Sequence, residues 1–169
     1  MNLNQNHIAV KLWIAAALGL LTVSSAFGQE SSISQTLTLQ VFETNRIDIS
    51  QRAVMMVINQ ASLETGSPVE AVNEDGSLTW ITNGDNKKIT VASNNAAPRF
   101  LVKMQALDIT GSTGVAAPEI RLNDNTTKDL VMGVTRSSGK CKIRFTASSK
   151  VSDGIGTDTH VITYTITGS

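Results

Sequence analysis

Apolar and polar residues alternate along most of the chain beyond residue 32, which is the pattern of strands that bury one face. Clusters of Gly, Asn, Asp, Ser and Pro separate the alternating stretches, and no long amphipathic helical pattern interrupts them. Turn signals at this spacing predict an all-β fold, an immunoglobulin-like β-sandwich of about seven to eight antiparallel strands. The clearest strand patterns are residues 77–82, 87–93, 99–109, 128–134, 140–147 and 159–167.

Two tight turns are expected to join neighbouring strands as hairpins. Residues 83–86 (NGDN) lie between the patterns at 77–82 and 87–93, and Asn and Gly accept a positive φ at little cost. Residues 136–139 (RSSG) take the same place between 128–134 and 140–147. The side chains expected in the core are Leu37, Leu39, Trp80, Ile89, Val91, Phe100, Val102, Met104, Val131, Ile143, Phe145, Ile162, Tyr164 and Ile166.

The segment SISQTLTLQV has its own alternation. Its apolar residues Ile33, Leu37, Leu39 and Val41 share one parity, which only Gln35 breaks. The segment is predicted to be a strand that pairs either within its own sheet or with a neighbouring molecule, and is the candidate assembly strand. Closure of the sheet by residues 159–167 favours pairing within the same chain.

Residues 51–66 (QRAVMMVINQASLETG) carry an apolar block without alternation, so periodicity alone does not separate a buried strand from a short helix. The β-branched Val57 and Ile58 and the Gly-Ser-Pro sequence that follows favour a strand.

The N-terminus has the pattern of a cleavable signal peptide. Residues 13–23 are apolar and uncharged, a length typical of a signal core and too short for a membrane span of about 20 residues. Small residues at Ala26 and Gly28 predict cleavage after Gly28. The division is therefore a signal peptide at 1–28 and one domain at 29–169, with no membrane insertion after cleavage. The expected location is secreted, periplasmic or cell surface.

Composition narrows the classes of function further. The whole chain has 14 basic and 14 acidic residues, well mixed, so the sequence does not indicate a nucleic-acid partner. Cys141 is the single cysteine, which excludes an intrachain disulfide, and its place among inward-facing residues predicts a buried small hydrophobe rather than a reactive thiol.

The candidate catalytic and metal-binding groups are few. His160 is the single histidine beyond the signal, and it shares the parity of Ile162, so it is predicted to lie at the mouth of the core. No motif typical of hydrolases, zinc enzymes, redox enzymes or nucleotide-binding proteins is present, and the chain is not expected to be an enzyme or to need a cofactor. The Asn- and Asp-rich loops at 83–86 and 123–129 fit turn chemistry better than calcium binding, so no metal site is expected.

Two stretches resemble those of exported bacterial fimbrial (pilin-type) and spore-coat U-like subunits. They are the last strand, GTDTHVITYTIT, and the segment ISQTLTLQV, which is similar to the donor strand that chaperone–usher subunits insert into a neighbour. The lone Cys141 and the position of Tyr164, well before the terminus, depart from the disulfide and the penultimate aromatic of many such pilins.

The resemblance implies a sandwich architecture and a role at the cell surface. Together with the export signal, the lack of catalytic motifs and the alternating segment at 33–41, it predicts a non-catalytic structural or adhesive subunit of the cell surface or envelope, with protein partners through self-assembly or other envelope components. The alternative is a carbohydrate-binding module with glycan partners. The aromatic side chains left to stack on a sugar are Trp80, Tyr164 and a few Phe, and most of them are expected to be buried.

Overall fold

The computed structural model describes residues 32–59 and 66–169, and the predicted signal peptide lies outside them. The fold is all-β, and every strand pair among the described residues is antiparallel. The described strands are β1 (Asn45–Ile49), β2 (Val69–Thr82), β3 (Lys87–Ser93), β4 (Leu101–Thr110), β5 (Val115–Ala116), β6 (Ile120–Arg121), β7 (Lys128–Val134), β8 (Ser137–Ser149) and β9 (Ile162–Gly168).

The strands form two sheets. Sheet A has the order β1-β2-β8-β4-β6, and sheet B has the order β5-β7-β3-β9. A short 3-10 helix, Val151–Asp153, lies between β8 and β9. The all-β prediction is confirmed, and the strands number nine in the described part of the chain.

One apolar core joins the inward faces of the two sheets. It combines Leu78, Trp80, Met104 and Ile143 of sheet A with side chains of sheet B, all of them almost fully buried. The alternation on β3 explains its contribution, because Ile89 and Val91 point to the same side and both are completely buried. Predicted core members that are only half-buried are Phe100, Val102, Phe145, Ile162, Tyr164 and Ile166.

The prediction of two hairpins is wrong. The turn at 83–86 connects β2 in sheet A with β3 in sheet B, and the turn at 136–139 lies where the chain passes from β7 in sheet B to β8 in sheet A. The two turns also contact each other, since the Arg136 side chain lies 2.5 Å from the Asp85 carboxylate. Turn residues reverse the chain, but burial of the apolar faces decides which sheet the next strand enters.

The prediction for residues 51–66 is also wrong as far as the structure describes them. Residues 51–59 form neither strand nor helix, and residues 60–65 lie outside the described part. Val54, Met56 and Ile58 are half-buried, whereas Met55 and Val57 are exposed. The segment therefore alternates in burial without entering a hydrogen-bonded ladder, which the apolar block in the sequence does not reveal.

Candidate functional site

The candidate assembly strand exposes its apolar side chains. Ile33 is 99 % exposed, Leu37 90 %, Leu39 84 % and Val41 74 %. None of them belongs to a strand of the described chain. The expectation that Leu37 and Leu39 lie in the core is therefore wrong, because alternation specifies two faces for a strand but not the sheet that covers one of them. Their part in assembly stays a prediction.

Hydrogen bonds fix the point where this segment leads into sheet A. Asn83 at the end of β2 accepts a hydrogen bond from Thr44 N at 2.7 Å and donates from its side-chain amide to Phe42 O at 2.8 Å. Glu43 pairs with Lys87 at 2.7 Å, and the hydrogen bond from Lys87 lowers the pKa of the Glu43 carboxyl. Residues 42–44 are thus held at one end of β2 and β3.

The four edge strands of the two sheets differ in length and in burial. β5 and β6 have two residues each, β1 has five and β9 has seven. The inward side chains of β9, Ile162, Tyr164 and Ile166, are only half-buried. Their partners on β3 are almost fully buried, and β1 of sheet A lies close to β9 without pairing with it.

His160 lies just before β9 and bonds to the end of β3. Its Nδ1 is 2.9 Å from the Ser93 hydroxyl, which also accepts a hydrogen bond from Asn95 N. The His160 Nε2 is buried and has no hydrogen-bond partner among the described residues. Burial lowers the pKa of His160, and the charge of Asp158 opposes this shift.

The Ser93–His160 pair ties two strands together, and its geometry does not suit catalysis. Ser93 is 3 % exposed, so a substrate has little access to its hydroxyl. A nucleophile must reach the reacting atom directly, and its base needs an orienting partner. The second ring nitrogen of His160 has no such partner in the described part of the chain.

Burial raises the pKa of two side chains, Cys141 and Tyr164. Cys141 is buried, as predicted, and burial raises the pKa of its thiol to about 11. Burial also raises the pKa of the Tyr164 hydroxyl. A thiol with so high a pKa is a poor nucleophile, because the thiolate is the reactive form.

Lys and Arg side chains form ion pairs with carboxylates of the two Asn- and Asp-rich loops, 83–86 and 123–129. Asp85 pairs with Arg136, Asp124 with Lys128 at 3.1 Å, and Asp129 with Lys88 at 3.0 Å. The pKa of Asp124 is lowered chiefly by the Thr126 hydroxyl that donates to it. Among the described residues, no group of three or more His, Cys, Asp or Glu side chains could hold a metal ion.

The aromatic side chains proposed as sugar platforms are not presented on a sheet face. Trp80 is 1 % exposed and lies over Gly139, and Tyr164 points inward from β9 and is half-buried. An exposed, outward-facing ring, which stacking on a sugar requires, is therefore missing at these two positions.

Sequence reasoning missed that β9 is an edge strand with an incompletely covered inward face. Its alternation predicts a strand, but the position of that strand in the sheet depends on distant pairing.

Where the structure describes the chain, no helix has the length and apolar character to span a membrane. Comparison with protein-family models, with curated proteins and with solved structures gave no match.

Proposed function

We propose that this protein is a non-catalytic structural or adhesive subunit that is exported to the cell surface or envelope and assembles by strand pairing. The signal-peptide pattern at 1–28 supports export, and the two antiparallel sheets fit an immunoglobulin-like sandwich as the building block. The observation that carries the proposal is the exposure of the alternating apolar side chains at Ile33, Leu37, Leu39 and Val41.

Exposed apolar side chains are unfavourable in a monomer, whereas their burial between two copies stabilises an assembly. Burying one Leu or Val side chain stabilises a complex by about 1.5–3 kcal/mol. A segment that presents several such groups at every second position gains most as one strand of a sheet, because its backbone then pairs while one face becomes buried.

The outer edge of β9 is the best acceptor for such a strand. Among the four edges it is the longest, and no described strand pairs with its free side. Ile162, Tyr164 and Ile166 have the same two-residue spacing as Leu37, Leu39 and Val41. A strand added here from a second copy of the chain would bring the two apolar rows side by side over the core.

Sedimentation of the chain from Gln29 onward tests the proposal. The wild-type protein is expected to form oligomers whose size rises with concentration, whereas Leu37→Asp/Leu39→Asp stays monomeric. The matched control is Thr36→Asp/Thr38→Asp, which adds the same charge to the opposite face of the same segment and should still assemble. A wild-type protein that is monomeric at all concentrations, or equal loss of assembly in both variants, would overturn it.

A further inference from the structure

A shallow groove lies on the outward face of sheet A, on the side away from the core. It has a volume of about 340 Å³ and crosses β1, β2 and β8 near the end of β4. Thr79 lies opposite Asp48 on one side and Lys140 on the other, and Ile81 lies opposite Arg46 and Ser138 in the same way. All of these side chains are exposed.

The groove brings together two cations that have no acidic partner in the part of the chain that the structure describes. Eight ion pairs occupy most of the Lys and Arg side chains in the described part of the chain. Arg46 and Lys140 form none of these pairs, yet both line this groove. Arg99, Arg121 and Lys150 also lack an acidic partner among the described residues, but they lie outside the groove.

One carboxylate shares the groove with the two cations. Asp48 lies on β1, two residues from Arg46 and across Thr79 from Lys140, and Arg52, four residues later, approaches it to 4.0 Å. Both members of this pair are largely exposed, so solvent screens their attraction. Asp48 therefore opposes the binding of an anion.

The groove favours a ligand that is recognised through side chains. It lies on the face of a sheet in which β2 and β8 pair on both sides, so an extended peptide lying in the groove would gain no ladder of hydrogen bonds. The side of β1 that has no described partner lies at the sheet edge, not on this face. Hydroxyls of Thr79, Thr110 and Ser138 line it together with the aliphatic Ile81. Trp80 is the single aromatic residue of the lining, and its ring is buried on the opposite face.

We infer that this groove binds an acidic glycan. Arg46 and Lys140 stand two strands apart, a lateral separation of roughly 10 Å, which suits a chain with repeated carboxylate or sulfate groups. Hydroxyl side chains then bond to the sugar hydroxyls between those groups. Without an exposed ring, a neutral sugar has no surface to stack on, and a single-stranded nucleic acid has no platform for its bases.

Calorimetric titration of the chain from Gln29 onward with oligogalacturonate tests the site, with a neutral dextrin of similar length in parallel. Arg46→Gln/Lys140→Gln is expected to weaken binding of the acidic sugar at least about fivefold. The matched control, Arg121→Gln/Lys150→Gln, removes the same charge elsewhere and should bind as the wild type does.

A further variant gives the opposite effect. Asp48→Asn removes the opposing carboxylate and is expected to tighten binding about two- to threefold, which loss of folding cannot imitate. The inference is overturned if the wild type does not bind, if dextrin binds equally well, or if the two double variants lose affinity equally. It is also overturned if Asp48→Asn weakens binding, or if a single-stranded DNA of equal charge binds more tightly than the sugar.

Discussion

Gly139 lies directly opposite Trp80 across the β2–β8 pair, and a Cβ at position 139 would lie 2.4 Å from the indole ring. The largest side chain of the core therefore depends on the absence of a side chain on the neighbouring strand. Such a Cβ would also come within 2.7 Å of the Ser112 Cβ, so both the indole ring and Ser112 would have to shift to accommodate it.

Gly139→Ala is expected to destabilise the fold by about 1–3 kcal/mol, because the added methyl overpacks the core beside Trp80. Urea unfolding followed by Trp80 fluorescence measures this change. Gly168→Ala is the control, since a Cβ at position 168 meets no atom within 4 Å. Equal stability of the two variants would contradict the prediction.

Leu37→Asp/Leu39→Asp is expected to leave the melting temperature of the monomer unchanged within about 2 °C, because both side chains are already exposed. The comparison variant is Leu78→Asp, which places a charge at a position that is 1 % exposed and should prevent folding. Calorimetry at a concentration that keeps the protein monomeric measures the melting temperatures of the wild type and of both variants. Collapse of the double variant would show that these leucines pack in their own chain.

The sequence predicts individual strands better than it predicts their neighbours. The patterns at 87–93 and 128–134 coincide with β3 and β7, since alternation and flanking turns act locally. The sequence pattern does not predict β1, whose five residues are mostly polar. It also does not predict the first half of β2, where the bulge between Asn73 and Gly76 interrupts the ladder.

The same difference between local pattern and distant pairing applies to the candidate site. The row Ile33, Leu37, Leu39 and Val41 is visible in the sequence, but its exposure is not, because burial depends on pairing between distant segments. The groove residues Arg46 and Lys140 are 94 positions apart, and only their register with β2 brings them to one surface. No local pattern contains that information.

Acid is expected to weaken the contact between β3 and β9 through His160. Burial lowers the pKa of this imidazole below its usual value near 6.5, so the unfolded chain binds the proton more readily than the folded chain. Stability from this group is complete above pH 6.5 and falls as the pH drops from about 6.5 to the folded pKa.

His160→Asn should remove this dependence. Thermal unfolding of the wild type and of the variant between pH 7.5 and about 5 compares their slopes before the carboxyl groups titrate. Identical slopes would assign the pH effect to other groups.

Cys141 is expected to resist thiol reagents in the native protein. Its thiol is buried and its pKa is raised to about 11, so at pH 8 little thiolate forms and little of that is accessible. Reaction with a chromogenic disulfide should be slow in buffer and complete in denaturant. Cys141→Ser should lower the free energy of unfolding by about 1–3 kcal/mol, because it buries a hydroxyl. Cys141→Ala should lower it less if the polarity of the hydroxyl, rather than the lost volume, is responsible. Rapid labelling of the folded protein would contradict this assignment.

Site-directed cross-linking is expected to locate the acceptor edge. If the candidate assembly strand of one copy joins β9 of another with its leucines inward, its threonines face outward beside Thr163, Thr165 and Thr167, because side chains alternate across a strand. Protein carrying Thr38→Cys, mixed with protein carrying Thr165→Cys, should then form a mixed disulfide under mild oxidation. The buried Cys141 should not compete.

Asp48→Cys in place of Thr165→Cys provides the control, since position 48 is exposed on β1, the second longest edge. Peptide mass spectrometry with one partner isotopically labelled distinguishes the mixed disulfide from pairs of identical chains. Cross-linking to position 48 instead of 165 would move the acceptor to β1 and leave strand pairing intact. Cross-linking to neither position, in a protein that still forms oligomers, would mean that the contact between copies is not made through these edges.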